Sequence, residues 1–146
     1  MEEANGKTTS SESSKSKGWF EMSDYYTTIR KNDTLTANSI KADIINTAIK
    51  NGKTKDEAEK NFKSNLTSEI KDKHSESKLT DVEAKNLLVK YGGMSQKDAV
   101  SLVQFWSFKK NYPDYELSES AVGKYYEYVK PVGISAKEYY NYYTKK

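Results

Sequence analysis

Apolar positions recur along this chain in steps of three and four. Ile40, Ile44, Ile45, Ala48 and Ile49 form one stripe, and Ala58, Phe62, Leu66 and Ile70 step by four. Ala99, Leu102, Val103 and Trp106 make a third stripe, and Ala121, Val122, Tyr125, Tyr126 and Val129 a fourth with an aromatic bias. This spacing lines one face of a helix, whereas a half-buried strand would alternate residue by residue. The predicted fold class is all-α.

Written beneath one another, three stretches align: LTANSIKADIINTAIKNGKTKDEAEKNF from Leu35, LTDVEAKNLLVKYGGMSQKDAVSLVQF from Leu79, and LSESAVGKYYEYVKPVGISAKEYYNYY from Leu117. Each opens on Leu followed by Thr or Ser, carries an apolar stripe, and reaches a glycine, one further residue and a hydroxyl. The joints are Gly52-Lys53-Thr54, Gly93-Met94-Ser95 and Gly133-Ile134-Ser135. Glycine tolerates the left-handed conformation that ends a helix. The hydroxyl two residues later can cap the next helix, and an acidic residue three further on can bond back. Thr54 with Glu57, Ser95 with Asp98 and Ser135 with Glu138 fit that reciprocal pattern, as do Thr80 and Glu83 at the start of a first helix. Asp98, with its shorter side chain, makes the weaker pair.

These joints predict three helix-turn-helix units, over residues 35–70, 79–113 and 117–143. Thr36 lies 44 residues before Thr80, and Thr80 lies 38 before Ser118, within the range of helical-hairpin repeats. Asn111-Tyr-Pro-Asp114 should end the second helix of the middle unit, because proline disfavours helical geometry in the residue before it. Ahead of the three, GWFEMSDYYTTIRK resembles GISAKEYYNYYTKK at the C-terminus, pairing Tyr25 and Tyr26 with Tyr139 and Tyr140, with Glu21 at the cap position. It reads as a partial unit over residues 18–33 and brings the expected helix count to seven. Residues 71–78, KDKHSESK, read as a polar linker.

Composition sharpens this picture. Only 35% of the 146 residues are hydrophobic and 31% are charged, so the core must be thin, which suits stacked hairpins better than one large globule. Residues 1–17 hold too little apolar surface to offset the entropy of ordering them and read as a disordered tail or linker, leaving one repeat domain over 18–146. The absence of cysteine removes disulfides, thiolate nucleophiles and zinc-thiolate sites. No apolar run approaches the roughly 18 residues of a membrane span, and the N-terminus lacks the apolar region of a secretory signal. A soluble protein is expected, with no membrane partner. Net charge is +3, from 24 Lys and Arg against 21 Asp and Glu, an interspersed mixture typical of a solvated surface.

Catalytic patterns are scarce. His74, the single histidine, falls in the polar linker and reads as a solvated side chain rather than a general base or metal ligand. Gly52-Lys53-Thr54 ends like a phosphate loop, but Thr47 stands where the upstream glycine is needed. Most carboxylates sit at cap positions or among lysines. The reading is therefore no enzyme, with no catalytic, cofactor or metal residues assigned.

Tyrosine is the most informative residue type left. Seven of the twelve fall between Tyr125 and Tyr143. Neighbours on a helix stand about 100° apart, so consecutive pairs cannot all face inward and some rings should be exposed. Trp19, Tyr25, Tyr26, Tyr125, Tyr126, Tyr128, Tyr139, Tyr140, Tyr142 and Tyr143 are accordingly the candidate partner-binding residues, since tyrosine offers large area and a hydrogen bond at low entropic cost. Lysines 124, 130, 137, 145 and 146 surround the C-terminal group. Aromatic rings among lysines can also stack bases and neutralise phosphates, but Glu119, Glu127 and Glu138 interrupt the field and Arg30 is the single arginine, so nucleic-acid binding ranks second.

With VGISAKEYYNYY at 132–143 and GMSQKDA at 93–99, residues 18–143 resemble helical-hairpin repeats of large structural proteins encoded by tailed phages and prophages of Gram-positive bacteria. The resemblance implies a protein-interaction or assembly module of phage or mobile-element origin, acting in the bacterial host cytoplasm or the phage particle, and it brings no catalytic residues. Lys53 stands where Met94 and Ile134 precede the other caps, which weakens the hydrophobic staple there. The expected role is non-enzymatic protein–protein interaction, through an unidentified protein partner or self-association. The alternatives are a nucleic-acid-binding phage regulator and a small phage inhibitor of a host defence enzyme.

Overall fold

A computed structural model describes residues 20–145; the expected tail at 1–17, Trp19 and Lys146 lie outside the described residues. Among the described residues every regular element is helical: α1 Met22–Arg30, α2 Thr34–Lys50, α3 Lys55–Ser75, α4 Asp81–Lys90, α5 Gln96–Asn111, α6 Glu119–Lys124 and α7 Ala136–Thr144. Two compact units divide between Glu69 and Ile70, within α3.

In the first unit α1 packs on α2, and the Tyr25 ring meets Phe62 of α3 edge-on, 4.8 Å between centroids. Tyr25, Tyr26, Ile29, Ala37, Ile40, Ala58, Phe62 and Leu66 are buried. The second unit packs α4 on α5, α5 on α6, and α7 on the turn that follows α6. Its core holds Leu87, Leu88, Val103, Trp106, Phe108, Val122, Tyr125 and Tyr139. The stripes read from the sequence thus face the core along most of their length, although Ile49 at the end of the first is 39% exposed. α5 ends at Asn111, two residues before Pro113.

At each glycine joint the backbone is left-handed, with φ of 107° at Gly52, 73° at Gly93 and 90° at Gly133. Thr54 Oγ1 accepts from the Glu57 amide at 3.1 Å while Glu57 Oε1 accepts from the Thr54 amide at 2.9 Å. Ser135 and Glu138 reciprocate in the same way, as do Thr80 and Glu83. Ser95 accepts from the Asp98 amide at 3.1 Å. Two further helix ends use a left-handed residue that is not glycine: Asn32 after α1, at φ 60°, and Ser77 after α3, at φ 64°. There the amides of Asp33 and Lys78 reach back five residues to the carbonyls of Thr28 and Lys73, as Lys53 does to Ala48 beyond Gly52.

Three features depart from the sequence reading. Thr36 is not the counterpart of Thr80 and Ser118: α2 begins at Thr34 and is capped by Asp33, whose carboxylate accepts from the Thr36 amide at 3.2 Å. Leu35 is correspondingly 82% exposed, while Leu79 and Leu117 are buried. The helix starting at Glu119 loses its α pattern after Lys124, passing through a π turn, Tyr125–Val129, and a 3-10 turn, Lys130–Val132. Pro131 explains this, because it lacks an amide hydrogen and its ring crowds the carbonyl four residues back. Finally, the polar segment 71–78 is no linker, since α3 continues through it to Ser75.

Candidate functional site

Aromatic side chains of α5, α7 and the connecting turns build one continuous cluster in the second unit. From Tyr126 the rings run to Tyr125 at 5.4 Å, Phe108 at 5.6 Å, Tyr112 at 5.0 Å, Tyr115 at 5.4 Å and Tyr140 at 4.5 Å. A branch leaves Tyr125 for Tyr139 at 5.5 Å and Tyr143 at 5.6 Å. Tyr115 lies nearly parallel to both Tyr112 and Tyr140, at interplanar angles of 3° and 10°. Such pairs are worth about 0.5–1.5 kcal/mol each beyond their buried area, so the cluster braces the elements that carry it. Lys130 Nζ stands 5.1 Å from the Tyr126 centroid.

The candidate tyrosines divide by position. Tyr25, Tyr26, Tyr125 and Tyr139 are buried, and Tyr126 and Tyr140 are half-buried. Tyr139 Oη donates to the Ala121 carbonyl at 2.9 Å. Burial pushes the phenol pKa of Tyr125, Tyr126 and Tyr139 above its ordinary value, helped by neighbouring phenols and, for Tyr126, by Asp81; they remain neutral packing groups. The exposed candidates are Tyr128, Tyr142 and Tyr143, at 65%, 66% and 41% exposure, and Val132 and Ile134 are exposed apolar residues of the same C-terminal segment. Trp19 lies outside the described residues.

A feature of α7 stands out on comparison with other helices. Counting from the cap residues Glu21, Thr54, Ser95 and Ser135, the fourth position holds Tyr25, Ala58, Ala99 and Tyr139, all buried. The eighth holds Ile29, Phe62 and Val103, all buried, and then Tyr143, which is open to solvent. In α7 the site that is core in α1, α3 and α5 is surface.

His74 is the clearest correction. It is 3% exposed, in the last turn of α3, with its ring centroid 6.0 Å from Trp106. Nε2 lies 2.7 Å from Asp81 Oδ1, and Ser107 Oγ donates to that same oxygen at 2.6 Å. Lys110 Nζ donates to the His74 carbonyl at 3.0 Å and to Ser77 Oγ at 2.7 Å, placing a cation at the negative end of α3. The series Ala58, Phe62, Leu66, Ile70 continues at its own step of four to His74, and that was the signal the polar surroundings obscured.

Serine, histidine and aspartate together suggest a hydrolytic triad, but the connectivity is wrong for one. Nucleophilic catalysis needs an imidazole nitrogen free to accept the serine proton, with the carboxylate on the other nitrogen. Here an acceptor-only carboxylate takes the hydroxyl proton of Ser107 and the Nε2 proton of His74 on one oxygen. Nε2, 3.5 Å from Ser107 Oγ, then has no lone pair for the serine. Partial desolvation acts to raise the Asp81 pKa, but bonds from Ser107 and His74, with the charge of Lys110, outweigh it and hold the carboxyl below its ordinary value. The group works as a clasp joining α3, α4 and α5.

Between α4 and α5, Val82, Val100 and Val103 line a groove of about 220 Å³ rimmed by Asp81, Lys85 and Gln104, below the roughly 300–1,000 Å³ of small-molecule sites. Among the described residues no group of three or more His, Asp or Glu side chains is placed to hold a metal, and no helix is long and apolar enough to cross a membrane. No protein-family model, no curated protein and no solved structure matches the chain.

Proposed function

We propose that the chain is a non-enzymatic interaction and assembly module, built from three hydroxyl-capped αα-hairpin repeats behind a partial unit, and that it docks a protein partner on the outer side of its last hairpin. The observation that carries this reading is the open eighth position of α7: Tyr143 is 41% exposed where Ile29, Phe62 and Val103 are core. Tyr128, Tyr142, Val132 and Ile134 of the same C-terminal segment are exposed as well, and Tyr143 itself is held against Tyr139 of the ring cluster. Rigid aromatic side chains of this kind are favoured anchors at interfaces, because little entropy is lost when they are covered. The resemblance to phage and prophage structural repeats supports a role in assembling a particle or another mobile-element complex, in the host cytoplasm or the particle.

The mutual stacking of the tyrosines favours this over nucleic-acid binding. Nucleic-acid binding needs a continuous positive field as well as free rings; Tyr115 is stacked against Tyr112 and Tyr140, and Glu127 and Glu138 interrupt the lysines around the exposed tyrosines. The experiment is affinity capture with mass spectrometry, comparing the wild-type chain with a Tyr128→Ser, Tyr142→Ser, Tyr143→Ser variant of unchanged helicity. A partner held by the wild type and lost by the variant is the expected result. Identical partners on both would refute the surface.

A further inference from the structure

In a chain that is 31% charged, α2 presents an uncharged outer face. Its exposed residues from Thr34 to Ile49 are Thr, Leu, Asn, Ser, Ala and Ile. Lys41 and Asp43 are half-buried, and Lys41 Nζ lies 5.4 Å from the Phe62 ring centroid. Depletion of charge is the compositional mark of an interface core. The face is also apolar near both ends of α2, with Leu35 82% and Ile49 39% exposed.

The order of these residues identifies what covers them. At about 100° per residue, Leu35, Asn38, Ala42, Asn46 and Ile49 fall in a stripe about 80° wide. The stripe reads alike in both directions from Ala42: an asparagine four residues away on each side and an aliphatic residue seven away on each side. A surface with that symmetry is complementary to itself under a two-fold rotation. We propose that α2 pairs antiparallel with α2 of a second copy of this chain, crossing at Ala42.

That arrangement sets Leu35 beside Ile49 of the second copy and the Asn38 amide against Asn46 of the second copy. The two alanines meet at the centre, where the lack of bulk allows close approach. No charged residue lies in the stripe to repel its copy, and the antiparallel helix dipoles oppose each other favourably. A helix about 25 Å long gives an interface at the small end of specific contacts, below about 1,200 Å². The dimer is therefore reversible and governed by concentration, and it is independent of the tyrosine surface.

The test combines sedimentation velocity of the full chain, from micromolar to millimolar, with cysteine cross-linking. The chain has no cysteine, so Ala42→Cys adds a single thiol at the two-fold axis, where Cα atoms within about 4.4–6.8 Å can form a disulfide. Lys60→Cys, on the exposed side of α3, is the control. Expected are a mass rising toward twice that of the monomer, at least tenfold faster oxidative dimerisation of A42C than of K60C, and a monomeric Ala42→Arg variant of unchanged helicity. A monomer throughout the concentration range, equal cross-linking rates, or an unaffected A42R dimer would each overturn the proposal.

Discussion

Gly123 and Gly133 answer to different demands. Gly123 lies within α6 and a Cβ built there meets nothing within 4 Å, so Gly123→Ala should raise stability by about 0.5–1 kcal/mol through lost unfolded-state freedom. Gly133 has equally open surroundings but φ of 90°, and Gly133→Ala should cost about 1–2 kcal/mol from backbone strain alone. Thermal or denaturant unfolding of the pair separates a left-handed elbow from an ordinary helical glycine. His74→Ala should cost about 2 kcal/mol or more, because it leaves a void beside Trp106 and removes a hydrogen bond from Asp81. If unfolding shows instead a change within about 0.5 kcal/mol, as at an exposed site, the clasp is wrong. The glycine elbows were legible because the residue type announces the backbone state. Asn32 and Ser77 reach the same state without that signature, and His74 was missed because the seven polar residues around it in 71–78 outvoted one helical period.

At the scale of elements, helix starts carry the pH dependence. Asp33 and Glu57 are held below their ordinary pKa values by side-chain and backbone hydrogen bonds at Thr36 and Thr54, and Asp81 is lowered by the clasp. A depressed folded-state pKa stabilises above the unfolded value and is lost as pH falls through the folded one. With ordinary values of 3.8 for Asp and 4.5 for Glu, unfolding followed from pH 7 to 2 should show stability level at first and falling below about pH 4.5. Asp81→Asn should flatten the part of that fall owed to α3 and α4. A fall complete by pH 5 would show that other groups control it. Helix periodicity anticipated every stripe, and cap chemistry anticipated the starts of α3, α4, α5 and α7. The misplaced start of α2 arose because Leu35-Thr36 copies the letters of Leu79-Thr80 while Asp33, three residues earlier than Thr36, makes the cap. The π turn followed from Pro131, whose effect on the preceding turn a stripe-by-stripe reading passes over.

For the whole molecule, the proposed docking surface is what α7 leaves uncovered. Sequence alone nominated ten aromatic residues and could not sort them, because burial depends on which helix a ring meets and not on the helix it belongs to. Packing assigns Tyr25, Tyr26, Tyr125 and Tyr139 to the core and leaves Tyr128, Tyr142 and Tyr143 outside. The most direct measurement is equilibrium unfolding of four single variants at the shared eighth position: Ile29→Ala, Phe62→Ala, Val103→Ala and Tyr143→Ala. The first three should lose about 2 kcal/mol or more, Phe62 most of all, while Tyr143→Ala should lose less than about 1 kcal/mol, the worth of one ring contact. A Tyr143→Ala cost equal to the others would mean that this position is already core, and the docking surface would have no place on α7.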